Sequence, residues 1–324
     1  MQPLKPAKPN LDVFSETLLE LAREDPDILV VTSDSRGSAR LANFARALPE
    51  RVIEIGIAEQ NLVGVSAGLA SAGKKVFAVS PASFLTARGF EQIKNDVAYS
   101  NQPVKLVGIS AGVSYGSLGS THHSTHDLAV LMAIHNIDIV IPADNYETRE
   151  AIRAAAAYPQ PLYLRFGKKP MPECLSANTD FVIGKAIRLA SGSDVTLVAT
   201  GETVWPAWEA REILEAQGVS CGVLDVHTLR PLDTRAIAGA AQTSKVMVTV
   251  EEHSVHGGLG SLVASFLMQA GLYLPLRIVG LPDEPIVTGS QNEVFAHYGI
   301  SAEGLSAAAQ ELLQRASLPA GKPG

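Results

Sequence analysis

Cysteine is almost missing from this chain. Cys174 and Cys221 are the only two in 324 residues, widely separated and without paired spacing. That argues against a disulfide framework and fits a reducing, cytoplasmic setting. Charge is also scarce: 18 % of residues are Asp, Glu, Lys or Arg, and the net charge is -7. Nucleic acid is not expected as a partner, because binding it takes basic patches that release counterions. No apolar run approaches the roughly 20 residues of a membrane span. The opening MQPLKPAKPN has no apolar segment behind it, so residues 1–9 read as a disordered arm and not as a signal peptide.

What is plentiful is apolar surface, 46 % of the residues. The length suits two domains of about 150 residues each, with enough apolar area for a subunit interface as well. Short β-branched runs alternate with Ala-rich stretches. Strands are predicted at 27–33, 51–56, 75–80, 103–110 and 137–143, with helices between them over 14–24, 58–73, 90–100 and 145–158. Strands without polar alternation belong to a parallel sheet covered on both faces. The rhythm breaks at GKKPMPECLSANTD, which has two prolines and no period, so a linker is placed over 171–182. It restarts with strands at 194–201, 219–226, 245–252 and 276–280, and with helices near 203–217, from 257, and near 291–297 and 301–315. The expected fold is α/β: two doubly wound domains, 10–170 and a smaller 183–318. Chemistry in such sheets sits at the carboxyl ends of strands, here after 33, 55, 80 and 110.

Four stretches there merit chemistry. In IEIGIAEQN, Glu59 opens a helix of small residues. It is either a first-turn charge paired with the helix dipole or a functional acid/base. In SPASFLTARGF, Phe90 reads as core, whereas Phe84 follows a strand end, where an aromatic ring can pack a flat ligand. In GSLGSTHHSTHD, His122 and His126 have i, i+4 spacing, as a zinc site would require. The Glu of H-E-x-x-H is absent, however, with His123 in its place, so no metal is assigned and a ligand-facing polar loop is expected. In EEHSVHGGLGSLV the glycines either cradle a phosphate or allow close packing.

IGIAEQNLVGVSAGLASAGKKVF, FLTARGFEQIKNDVAY, IDIVIPADNYETREAI, LYLRFG and VEEHSVHGGLGSLV, in this order, resemble the carboxy-terminal half of transketolases from about residue 10 to 315. The resemblance implies a pyrimidine-binding domain followed by a transketolase C-terminal domain. Thiamine diphosphate is the implied cofactor. The family's amino-terminal domain, which holds the diphosphate through magnesium or calcium, is marked by Gly-Asp-Gly and a later Asn pair. Neither occurs here. The chain therefore looks like the small subunit of a split enzyme, with a larger partner carrying the diphosphate site. An α2β2 heterotetramer with self-association of this chain is implied.

By the same resemblance, Glu59 bonds a ring nitrogen of the aminopyrimidine and is catalytic, with Ile57 and Gln60 beside it and Phe84 against the ring. His122 matches a substrate-contacting and catalytic His, with His123 flanking the pocket. Arg165 in YLRFG matches a phosphate-contacting Arg. The implied reaction moves a two-carbon ketol unit from a ketose, a sugar or sugar phosphate, to an aldehyde. Three positions depart from the family. Leu118 stands where an Asp usually touches an acceptor hydroxyl, Ser110 where a phosphate-contacting His is common, and Asp12 where many members have Arg. Lost polar partners predict an unusual donor or acceptor. The alternatives are the β subunit of a 2-oxo-acid dehydrogenase, ketol transfer to a carrier-bound acceptor, a non-catalytic assembly subunit and a metal hydrolase.

Overall fold

The structure, a computed structural model, describes residues 8–172, 175 and 179–317. Residues 1–7 of the expected arm, Cys174 and part of the expected linker lie outside the described residues. The last two residues of the arm are held in place. Pro9 bridges Pro170, and Lys8 pairs with Glu16 at 2.9 Å.

In chain order the strands are β1 Ile28–Thr32, β2 Val52–Glu54, β3 Lys75–Pro81, β4 Lys105–Ile109, β5 Asp138–Val140, β6 Leu162–Arg165, β7 Ile187–Ala190, β8 Val195–Ala199, β9 Cys221–Asp225, β10 Thr228–Arg230, β11 Val246–Ser254 and β12 Leu276–Leu281. They form a seven-stranded sheet, β10-β5-β6-β4-β3-β1-β2, and a five-stranded sheet, β12-β11-β8-β9-β7. Within each sheet the neighbours are parallel except at one edge: β10 runs antiparallel to β5, and β7 antiparallel to β9. β4, β8 and β9 are buried along their whole length, as strands covered on both faces must be.

Helices Asn10–Glu24 and Asn145–Ala157 cover one face of the first sheet, where Phe14, Leu18 and Ile152 meet Val30, Phe77 and Val107. On the other face Leu62, Val63, Ile93 and Val97 join a cluster that continues without a break into Leu224, Val226, Met247 and Leu259 of the second half. One apolar cluster thus runs through both halves.

Three details differ from the sequence expectations. β10 lies in the second half of the chain yet completes the first sheet, tied by the 2.7 Å bond from Ile141 N–H to the His227 carbonyl. The run 137–143 gives only three strand residues, since Pro142 has no N–H to donate. The stretch 90–100 is not one α-helix: Phe90–Gln92 is followed by a π-helical segment, Ile93–Tyr99. Such wide turns recur at functional sites.

Candidate functional site

The carboxyl ends of β1 to β4 open onto one place in the molecule. Beyond β2 the chain turns at Gly56, with φ +78°, and Glu59 begins helix Glu59–Ser71. Its carboxylate is buried, 4 % exposed, and accepts a bond from Arg88 Nη1 at 3.0 Å. Arg88 ends helix Ala82–Arg88, which follows directly on β3. The same guanidinium lies over the Phe84 ring, 4.3 Å from its centroid, within cation–π range. Gly89 makes the approach of the two helices feasible. A Cβ there would sit 2.9 Å from the Leu85 carbonyl oxygen and 3.3 Å from that of Glu59.

His122 also meets Phe84. Their ring centroids are 5.3 Å apart, edge to face, and Tyr115 meets His122 in the same manner at 5.3 Å. Lys168 Nζ lies 4.9 Å from the Tyr115 centroid. Glu59, Arg88, Phe84, His122, Tyr115 and Lys168 therefore form one continuous row, with an acid at one end and an exposed cation at the other. His122 Nδ1 is 3.0 Å from Thr121 Oγ1, which orients the ring.

The loop bearing His122 is fixed at its base. Gly112 pairs with Ser124, and a Cβ at Gly112 would strike the Glu252 carboxyl. Val113 N–H donates to Glu252 Oε1 at 2.8 Å. His123 is buried and its Nε2 bonds the Gly116 carbonyl at 3.0 Å; burial pushes its pKa down, so the neutral ring is favoured. His123 thus staples the loop instead of lining the row. His126 precedes helix Asp127–Met132. His122 and His123 have different partners, the buried His126 Nε2 has none among the described residues, and among those residues no group of His, Cys, Asp and Glu could hold a metal ion. Leu118 is 53 % exposed in the one-turn segment Gly116–Leu118. Ser110, just after β4, is buried with φ +52°, and its hydroxyl has no protein partner among the described residues. Ile57 and Gln60 are exposed at the rim beside Glu59. Asp12 pairs with Arg40 at 3.3 Å.

Arg165 is a different case from the sequence expectation of a phosphate contact. It is buried, and its guanidinium is spent on internal partners: Asp127 Oδ2 at 2.8 Å and the carbonyls of Ser124 and Glu252 at 3.2 and 2.9 Å. Burial alone would raise the Asp127 carboxyl, but the adjacent guanidinium holds it below the usual carboxylate range. Tyr163 also donates to Asp127, at 2.7 Å. The ion pair anchors the loop from beneath, and the exposed cation of the segment is Lys168, three residues on. Sequence reading missed Lys168, Tyr115 and Arg88. The lysine pair after LYLRFG and the Arg four residues beyond Phe84 were the available signals.

Behind the loop, Gln291 Nε2 bridges Glu202 Oε2 and Glu252 Oε1, each at 2.8 Å. Burial, then the neighbouring Glu202, pushes Glu252 up to about 8, and burial raises Glu202 too. The glycines of EEHSVHGGLGSLV serve close packing and not a phosphate. The Glu251 carboxylate already accepts from Leu259 and Gly260 N–H at 2.7 and 2.8 Å, filling that helix start.

Residues 9–173 match the transketolase pyrimidine-binding domain, and residues 184–305 the transketolase C-terminal domain. The chain is 47 % identical over 303 residues to one of the subunits of the apulose-4-phosphate transketolase of Phocaeicola vulgatus, covering 93 % of this chain and 96 % of that protein. It is 35 % identical to a 6-deoxy-6-sulfo-D-fructose transketolase subunit of a Clostridium species, covering 94 % of each. Among solved structures it resembles a split-gene transketolase described as an inactive β4 tetramer, with a TM-score of 0.87, 36 % identity, and coverage of 94 % of this chain and 98 % of that one.

Proposed function

The chain belongs to the transketolase family, and on that premise we propose that it is the small subunit of a two-chain, thiamine-diphosphate-dependent transketolase. It transfers a two-carbon ketol unit from a ketose phosphate to an aldehyde acceptor. The observation that supports this reading most is the row from Glu59 through Phe84 and His122 to Lys168.

The residues fit the aminopyrimidine end of the cofactor. A flat, nitrogen-bearing group, the Arg88 guanidinium, already makes one bond to Glu59 and one face contact with Phe84. When bound, thiamine diphosphate supplies the carbon nucleophile and the electron sink for cleaving and forming the C–C bond. Glu59 would hold the aminopyrimidine by a hydrogen bond to a ring nitrogen and could share a proton there. Phe84 supports the ring, and Ile57 and Gln60 flank it. His122 orients the substrate and moves a proton at its reacting oxygen. Ser110 offers its free hydroxyl at the floor.

Lys168, beyond Tyr115, takes the anionic end of the sugar. The relatives named for apulose 4-phosphate and for a sulfo sugar both handle substrates with such an end. Leu118 in place of an acid selects an acceptor that does not need its hydroxyl bound there.

The larger partner chain holds the diphosphate and its magnesium. The assembly is α2β2, with this chain self-associating. An inactive β4 tetramer among its structural relatives supports both partner dependence and self-association. The test is reconstitution. The chain alone, with thiamine diphosphate and magnesium, should form no ketose product. Adding the larger chain should restore turnover, and activity of the chain alone would overturn the split arrangement.

A further inference from the structure

Arg88 makes two contacts at once: 3.0 Å from Nη1 to the buried Glu59 carboxylate, and 4.3 Å from Cζ to the centre of the Phe84 ring. Those are one charge-assisted hydrogen bond and one face-on stack by a planar, nitrogen-bearing group. They are also the two contacts that the proposed reading gives to the aminopyrimidine ring, so the inference rests on that reading. Glu59 and Phe84 cannot offer the same carboxylate oxygen and the same ring face to both groups.

The flanking geometry suits an exchangeable partner. The Glu59 carboxylate is 4 % exposed, whereas the Arg88 side chain is 49 % exposed. A buried carboxylate left unpaired is costly, so the free chain needs a partner for Glu59. A half-exposed arginine supplies one and can swing into solvent at little cost. Arg88 is the last residue of its helix, and Gly89 follows. Its side chain can therefore leave without disturbing the helix backbone.

We propose that Arg88 is the ligand of Glu59 and Phe84 in the cofactor-free subunit, and that it is displaced by the aminopyrimidine ring when the cofactor binds. Arg88 thereby keeps the two residues aligned before loading and sets the affinity for the cofactor by competing with it. It is a positioning residue, not a catalytic one.

The experiment uses the two-chain enzyme with Arg88→Leu and Arg88→Lys. Equilibrium dialysis gives the dissociation constant of thiamine diphosphate in the presence of magnesium, and melting is followed with and without the cofactor. Arg88→Leu should tighten cofactor binding about three- to tenfold, the scale of one ion pair whose cation is half in solvent and one stack. It should lower the melting temperature of the cofactor-free enzyme more than that of the loaded one. Arg88→Lys, which keeps the charge and loses the plane, should fall between. An unchanged or weaker affinity in Arg88→Leu, or equal loss of stability in both states, would overturn the proposal. Glu59→Gln, measured beside them, tests the underlying reading separately: full turnover in that variant would remove Glu59 from the cofactor site, whatever Arg88 does.

Discussion

Arg88 holds Glu59 by a 3.0 Å bond across 29 residues of sequence, and it does so while covering the ring of Phe84. That pairing gives the acid end of the site a defined shape in the free chain. It also bears on the two roles for Glu59 that the sequence leaves open. A helix-start carboxylate serving only the dipole would face solvent, whereas this one is buried against a cation at the carboxyl edge of the sheet.

Glu59→Gln in the two-chain enzyme should reduce kcat by at least about 100-fold, the scale of lost proton transfer. The neutral amide is nearly the same size and still accepts from Arg88, so the melting temperature should move by only a few degrees. Steady-state turnover and a melting curve check both parts.

Lys168 and Arg165 should separate cleanly. Lys168→Ala removes an exposed cation beside Tyr115. It should raise KM for an anionic sugar about tenfold and leave melting unchanged. Arg165→Ala strands Asp127 in the interior. It should cost about 3–5 kcal/mol of stability, as breaking a buried pair does. Normal KM in Lys168→Ala would remove Lys168 from the substrate site.

Leu118→Asp should change acceptor choice more than overall activity. The side chain is exposed on the loop that carries His122. A carboxylate there should favour hydroxyl-rich aldehyde acceptors about tenfold in kcat/KM, with donor kinetics unaltered. A panel of acceptors with one fixed donor reads the ratio.

The contribution of Glu252 to stability should fall as pH rises from about 5 to above 8. Burial and Glu202 raise Glu252 from 4.5 to about 8 in the folded chain. Between those values the folded chain keeps a proton that the unfolded chain has released. The contribution is complete below about 4.5 and is lost as pH rises through about 8. Glu252→Gln keeps the acceptor for Val113 and Gln291 and should flatten this slope, as melting across the pH range would show.

Much of the fold was legible because its signals are local. Runs such as ILVVT and VTLVA are β-branched or apolar throughout, and the structure makes them strands β1 and β8. The motif IGIAEQN carried Glu59 by wording alone. Locally ambiguous segments were harder. β10 joins the first sheet by pairing with β5, beside the bond from Ile141 to His227 across 86 residues, a distance that periodicity cannot see.

The sequence by itself determined the α/β fold class and the family, and it pointed to Glu59, Phe84 and His122 as site candidates, since each rests on a hydrophobic period or a contiguous motif. Only the tertiary structure decided what the cations do. By resemblance Arg165 matches a phosphate-contacting Arg, but Asp127, 38 residues away, and the Glu252 carbonyl, 87 away, enclose it. Arg88 and Lys168 look like ordinary surface charges until the fold sets one against Glu59 and the other at the far end of the same row. A charged side chain takes its role from burial and from its partners, and here both come from distant parts of the chain.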